Sequence, residues 1–520
     1  MIQCKSSLTA VCAAVAVATS LFAVPLMAQA ADSARVVIAF KAGGGDALRA
    51  AIANAGGRVA FEMNEVNALG VDLPRRAIAV LQRHAQVNFV EEGVPRYAFG
   101  ARPAKAAAVT PAVLGEVVPY GIPMVQADQV SDIAAGNRKL CIVDSGIDGT
   151  HEDLQGITKT GEDFTAAGDP FTDQNSHGTH VAGTIFARDN SIGVIGVLPN
   201  AKLALHIAKV FDATGSASSI TIAQAMLSCM RNGANVVSMS LGGSSASPIE
   251  QLVVKVMAKR NMLIIAAAGN GASSAVSFPA GFAEVVSVAA VDENKAVASF
   301  SQFNSDVELS GPGVDVLSTV PMGTGTDNSL TVGASSYAVS SVIGSPLASV
   351  TAPLADFGLG DVVNPAMSGK VCLTSRGNIA FSDKVLNCQA SGGVGSVIYN
   401  NVAEPISPTL NGVVTTIPSV FATLADGTTM LGQLGQSTTV AVTTSNYAKF
   451  SGTSMATPHV SAVAALVWSL HPTCTAAQMR ISLDMSAQDL GTAGRDINYG
   501  FGLVQAKAAH DRITSMGCGI

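Results

Sequence analysis

The chain has 520 residues, of which 48% are hydrophobic and 13% charged, and its formal net charge is −7. That length exceeds one ordinary domain, and the apolar share is enough for a large core. A negative balance with no basic block argues against nucleic acid as a partner.

Lys5, the apolar run 8–26 and then Ala28-Gln29-Ala30 read as a secretory signal cleaved after Ala30. A membrane anchor is the alternative, but Thr19, Ser20 and Pro25 interrupt the run. No later stretch is long and apolar enough to span a bilayer, so no anchor is expected after cleavage. Cys141, Cys229, Cys372, Cys388, Cys474 and Cys518 remain, and an even number in an exported chain suggests disulfides. Nearness along the chain favours Cys372 with Cys388 and Cys474 with Cys518. Cys141 and Cys229 are then a third bridge or two buried thiols.

Residues 35–40, 59–63, 68–73 and 87–92 read as strands, with helices at 46–55 and 74–84, a βαββαβ order of the ferredoxin-like kind. The stretch 100–113 is rich in Ala and Pro and reads as an exposed linker. From Arg138 onward apolar strands (203–210, 236–240, 263–268, 285–291) alternate with helical stretches (220–232, 248–260). This alternation argues for an α/β fold with a mostly parallel sheet, whose functional residues gather at strand C-termini. Residues 322–446 carry few charges, many Gly, Ser, Thr and Val, and short β-like runs at 371–374, 396–399 and 412–417. They read as an inserted β-rich domain, with a long disordered loop as the alternative.

Three stretches carry chemistry. Leu140-Cys141-Ile142-Val143-Asp144-Ser145-Gly146-Ile147 is a buried strand delivering a carboxylate at its end. His177 opens a small-residue helix in His-Gly-Thr-His-Val-Ala-Gly-Thr. Gly452-Thr-Ser-Met-Ala-Thr-Pro-His459 places Ser454 at the start of an apolar helix, where the helix dipole favours an oxygen that turns anionic. Thr453 and Ser454 alone suit simple helix caps. With an acid and a His they supply the orienter, general base and nucleophile of acyl transfer. Residues 263–270 form a strand and turn ending in Asn270, whose amide suits an oxyanion donor as well as a turn.

In the order Asp, His, Ser, the motifs D-S-G-I, H-G-T-H-V-A-G-T and G-T-S-M-A-T-P-H resemble those of the subtilases, the subtilisin-like serine proteases. V-P-Y-G-I at 118–122 and N-Y-G-F-G-L-V at 498–504 resemble the start and close of the family's catalytic domain. The resemblance implies a secreted serine endopeptidase acting on proteins and peptides. Its triad would be Asp144, His177 and Ser454, with Asn270 in the oxyanion hole. Its fold would be a doubly wound, mostly parallel α/β sheet, and it would be a monomer. Ser240, Leu241 and Gly242 would line the substrate strand, and Ala267 and Gly269 a roomy, apolar primary pocket. Residues 31–99, ending V-E-E-G-V-P-R-Y-A-F, resemble the family's inhibitory propeptide, the enzyme's own partner before processing in 100–115. The catalytic domain would be 116–321 and 447–520, interrupted at 322–446 by a segment resembling a protease-associated domain in K-V-C-L-T-S-R-G, Cys388 and G-S-V-I-Y-N-N. The run 187–194 resembles the family's calcium loop. By that resemblance Asn190 gives a side-chain oxygen, Arg188, Ile192 and Val194 give main-chain oxygens, and Asp153 and Glu116 give carboxylates. A protease fold that has lost its chemistry would lack a triad member, and none is missing. An α/β-hydrolase esterase would order its triad Ser, acid, His, which this chain does not.

Overall fold

The computed structural model describes residues 33–99, 102–103, 116–403, 406 and 408–519. The signal reading at 1–30 and nearly all of the linker at 100–115 lie outside them. The chain divides into two units at Glu92 and Gly93.

The first unit is a four-stranded antiparallel sheet in the order Arg58–Met63, Ala68–Pro74, Ser33–Phe40, Val87–Glu92. The helices Gly45–Asn54 and Arg75–Leu81 complete the βαββαβ order. Leu48 and Ile52, one helical turn apart, are buried with the alternating strand residues Val36, Ile38, Leu69, Val71 and Leu73. Period four on the helix and period two on the strands therefore meet in one core.

The second unit is built on a seven-stranded parallel sheet. Its order is Val307–Pro312, Val285–Val291, Leu263–Ala267, Val236–Met239, Lys139–Asp144, Ala204–Lys209, Lys159–Asp163. The strands Val236–Met239, Leu263–Ala267 and Val285–Val291 are buried along their whole length, as a sheet covered on both faces requires. Leu140 and Ile142 join one core with the helices His177–Phe186 and Thr453–Leu470. Cys141, on the other pleat, is bonded to Cys229 of the helix Ser219–Arg231, which places that helix on the opposite face. The chain leaves Lys139–Asp144 first to one side of the sheet and later to the other. Asp144 thus stands at the topological switch point, where doubly wound sheets open a crevice.

All three cysteine pairs favoured by nearness and remainder are formed: Cys141–Cys229, Cys372–Cys388 and Cys474–Cys518. The last closes 44 residues around the final two helices, and a loop of that size contributes roughly 3–4 kcal/mol by chain entropy. Among the described residues no helix is long and apolar enough to cross a membrane.

Residues 325–445 build an eight-stranded sheet of their own. Its strands Ala348–Asp356, Val371–Ser375, Gly395–Tyr399 and Ser419–Ala422 are parallel. The segment is β-rich as expected, yet it also carries the helices Phe381–Ala390 and Leu424–Leu431. Val385 and Cys388 are the buried stripe of the first, a helical spacing hidden in a polar-looking run. The run 412–417 is not a strand: Asn411 and Gly412 adopt φ of 51° and 80°, which makes a turn, and the strand starts at Ser419. Both ends of the segment meet at a neck. Strand Val316–Thr319 pairs antiparallel with Tyr447–Ser451, and Asn446 accepts from Val320 N–H at 2.8 Å. The chain returning through this neck runs directly into the helix that bears Ser454.

Candidate active site

Asp144 ends its strand and His177 begins its helix, so two element termini bring acid and imidazole together. Asp144 Oδ1 accepts from His177 Nδ1 at 2.8 Å and from Ser145 N–H at 2.8 Å. Both side chains are buried. Asp173, which no motif singles out, fixes the approach. Its carboxylate accepts from Ser145 Oγ at 2.9 Å, Asn175 and Ser176 N–H at 2.9 Å, and Thr179 Oγ1 at 2.6 Å. Ser145 Oγ in turn accepts from Gly178 N–H at 2.9 Å, which ties the start of the His177 helix to the end of the Asp144 strand.

Burial opposes the charged imidazolium of His177. The Asp144 carboxylate outweighs that cost, helped by Asp173 and by the Phe99 carbonyl, which lies short of hydrogen-bond geometry. The pKa of His177 is therefore held above its ordinary value. The neighbouring buried imidazoles behave oppositely: burial drives His180 down to about 3 and His459 down to about 4. His180 Nε2 faces the carbonyls of Val316 and Ala448, and His459 Nδ1 that of Met455, so these two are core residues.

Ser454 is the second residue of the helix Thr453–Leu470. Its Oγ has one proton to share between the carbonyls of Ser240 at 3.1 Å and Phe99 at 3.2 Å, while Ser240 Oγ donates to Ser454 O at 2.8 Å. Asn270 Oδ1 accepts from Thr453 N–H at 2.9 Å and Thr453 Oγ1 at 2.8 Å. This clamp leaves Asn270 Nδ2 beside Gly452, buried and without a hydrogen-bond partner. His177 Nε2 is likewise a buried nitrogen without one. A free base nitrogen, a hydroxyl that meets a carbonyl and a free amide donor are the parts of an acyl-transfer site.

That carbonyl belongs to Phe99, in the second unit. Strand Pro95–Ala98 lies antiparallel between Ser216–Ser218 and Leu241–Gly242, with Ala98 opposite Leu241 and Tyr97 opposite Gly242 and Ser216. Gly242 makes room for the Phe99 ring, since a Cβ there would stand 2.5 Å from Cζ. Past the carbonyl, the backbone of Arg102–Pro103 pairs with Phe450–Ser451. Ala267 and Gly269 lie in the adjoining strand and turn, and Gly269 N–H donates to Thr453 Oγ1 at 3.2 Å. Asp173 joins the site without any motif announcing it.

The residues of the run 187–194 also converge with Asp153 and Glu116. Asp153 Oδ1 accepts from Asn190 Nδ2 at 2.9 Å and its Oδ2 from Val194 N–H at 3.0 Å. Glu116 Oε1 accepts from the N–H groups of Asn190 at 2.6 Å and Ser191 at 3.2 Å. Val117 N–H donates to Gly193 O at 2.8 Å, fastening residue 117 to the loop. Asn190 Oδ1 accepts from Ile192 N–H at 3.0 Å and keeps a second lone pair. Burial pushes the Asp153 carboxyl up despite its hydrogen bonds. Two carboxylates, an amide oxygen and loop carbonyls suit a hard cation. Among the described residues no cluster of three or more His, Cys, Asp or Glu forms a metal site, so any ion here needs neutral oxygens beside these two carboxylates.

The sequence profile of the subtilase family matches residues 136–502. Subtilisin amylosacchariticus of Bacillus subtilis subsp. amylosacchariticus is 36% identical over 280 residues, covering 52% of this chain and 68% of the relative. Subtilisin DY of Bacillus licheniformis is 41% identical over 216 residues, 40% of this chain and 77% of the relative. Among solved structures, the psychrophilic subtilisin-like protease Apa1 from the Antarctic psychrotroph Pseudoalteromonas sp. AS-11 superposes with a TM-score of 0.63. It is 40% identical and covers 77% of this chain and 99% of its own. Fervidolysin from Fervidobacterium pennivorans, at 20% identity and TM-score 0.58 over 92% of this chain and 61% of its own, shares the fold. The chain belongs to the subtilase family and is a subtilisin-like serine endopeptidase.

Proposed function

We propose that this endopeptidase is exported as a precursor that cuts its own chain between Phe99 and Gly100, with Ser454, His177, Asp144 and Asn270 as the catalytic groups. One observation carries the reading: Ser454 Oγ lies 3.2 Å from the carbonyl oxygen of Phe99. The Ser454 hydroxyl turns from its carbonyl acceptors to His177 Nε2, which takes the proton as the oxygen attacks the Phe99 carbon. Asp144 holds Nδ1–H and stabilises the imidazolium. Asn270 Nδ2 and the Ser454 N–H donate to the oxyanion. His177 passes its proton to the Gly100 nitrogen, the peptide bond breaks, and water releases Phe99 from the acyl-enzyme. The segment 95–99 keeps the groove filled, so residues 31–99 act as an inhibitory propeptide. Residues 322–446 hold no His and are assigned no catalytic role. In a time course of maturation, Edman sequencing should find Gly100 as the first new N-terminus. The mature protein should digest casein, and a serine-directed inhibitor should stop it. A first cut elsewhere would refute the assignment of Phe99.

Calcium fits the loop beside Asp153. Asp153, Glu116 and Asn190 would hold it with the carbonyls of Arg188, Ile192 and Val194, and when bound it supplies a positive charge that fastens residues 116–117 to the loop. Binding to the folded state alone stabilises by mass action, about 2.7 kcal/mol at a hundred times Kd. Melting scans should show a higher Tm in calcium than in excess chelator, and Asp153→Ala should abolish the difference. Equal Tm values in the wild-type protein would remove calcium from the account.

A further inference from the structure

Arg96 and Glu250 form an ion pair in which both side chains are 0% exposed. The guanidinium meets the carboxylate as a fork, Nε to Oε1 at 3.0 Å and Nη2 to Oε2 at 2.5 Å. Nη2 also donates to Ser245 O at 2.9 Å, and Nη1 to Pro95 O at 2.9 Å. Gly243 makes the space, since a Cβ there would stand 2.9 Å from Nη1. Glu250 sits in the first turn of the helix Pro248–Lys259, and its N–H donates to the capping Ser247 Oγ at 3.3 Å. An acid in that place normally serves the helix dipole at the surface. A fully buried carboxylate needs more, a charged partner with matching hydrogen bonds. That partner comes from the segment lying in the groove, three residues before Phe99.

We infer that Glu250 is the acid of a substrate pocket that selects arginine at the fourth position on the N-terminal side of the cleaved bond. The enzyme then favours extended segments of the form Arg-x-x-Phe. This rests on the reading of Ser454 as nucleophile and of residues 95–99 as a bound substrate. The strand register supports it: Arg96 is buried while Tyr97, on the opposite pleat, is 50% exposed. The pocket walls, Gly243, Ser245 and Glu250, belong to the catalytic part of the chain and stay when the segment leaves. A neutral side chain entering there leaves the buried carboxylate without its guanidinium, which discriminates against it. Arginine fits better than lysine because both carboxylate oxygens are met by one planar fork.

The test uses mature enzyme and two succinyl-peptide p-nitroanilides, Arg-Tyr-Ala-Phe and the same peptide with citrulline for arginine. Citrulline keeps the shape and removes the charge. The expected kcat/KM ratio is about 30-fold or more in favour of arginine, from the loss of one partner of a buried charge pair. In Glu250→Gln that ratio should fall to near one. A wild-type ratio near one, or a ratio that survives Glu250→Gln, overturns the pocket. Should Glu250→Gln not fold, the wild-type ratio alone decides. Casein digestion with equal rates on both peptides rejects only the pocket, whereas failure on casein as well rejects the nucleophile reading beneath it.

Discussion

Ser454→Ala should yield a precursor that folds, stays uncut and digests nothing. The expected loss in turnover is on the order of a millionfold, a magnitude taken from subtilisin itself, and corresponds to about 8 kcal/mol of barrier. The folded state loses little. Ser454 Oγ has one proton to share between two carbonyls, and such a bond is worth roughly 0.5–1.5 kcal/mol. The variant therefore separates chemistry from folding. A full-length band on a gel, a cooperative melt and no casein digestion is the expected set of results. A Ser454→Ala chain that matures and digests casein normally would show that another nucleophile carries the reaction.

Asn270→Ala should lower kcat about 100- to 1,000-fold and leave KM nearly unchanged; that range, too, comes from subtilisin. The KM behaviour follows from where the donor acts. Asn270 Nδ2 has no hydrogen-bond partner in the precursor, so its bond forms when charge develops on the oxyanion. A second effect accompanies the first. Asn270 Oδ1 holds both the N–H and the hydroxyl of Thr453, and orphaning a buried donor costs roughly 1–3 kcal/mol. The variant should thus melt earlier as well as turn over more slowly. If it melts earlier with kcat unchanged, Asn270 serves its turn and not the reaction. Steady-state kinetics on a small peptide anilide, beside a melting scan, distinguish the two outcomes.

The placement of Asp144, His177, Ser454 and Asn270 was legible in the sequence because each sits near the end of a strand or the start of a helix, within a few residues of its own signal. An apolar run ending in an acid, or a His or Ser opening an Ala-rich helix, is a local pattern set by burial and capping. The alternation of strands and helices was legible for the same reason, since periods of two and about four are properties of neighbouring residues. The inserted segment was half legible: its strands at 371–375 and 395–399 showed, while the helix Phe381–Ala390 was masked by polar residues around a narrow buried stripe. Other features came only with the tertiary structure. Arg96 and Glu250 are 154 residues apart, and in isolation each reads as an ordinary surface charge. Asp173 became the brace of the His177 loop, and Phe99 became the residue whose carbonyl meets Ser454. These depend on which strands lie side by side and in what register. That is set by the packing of the whole sheet and its crossovers, and no local preference of the chain encodes it.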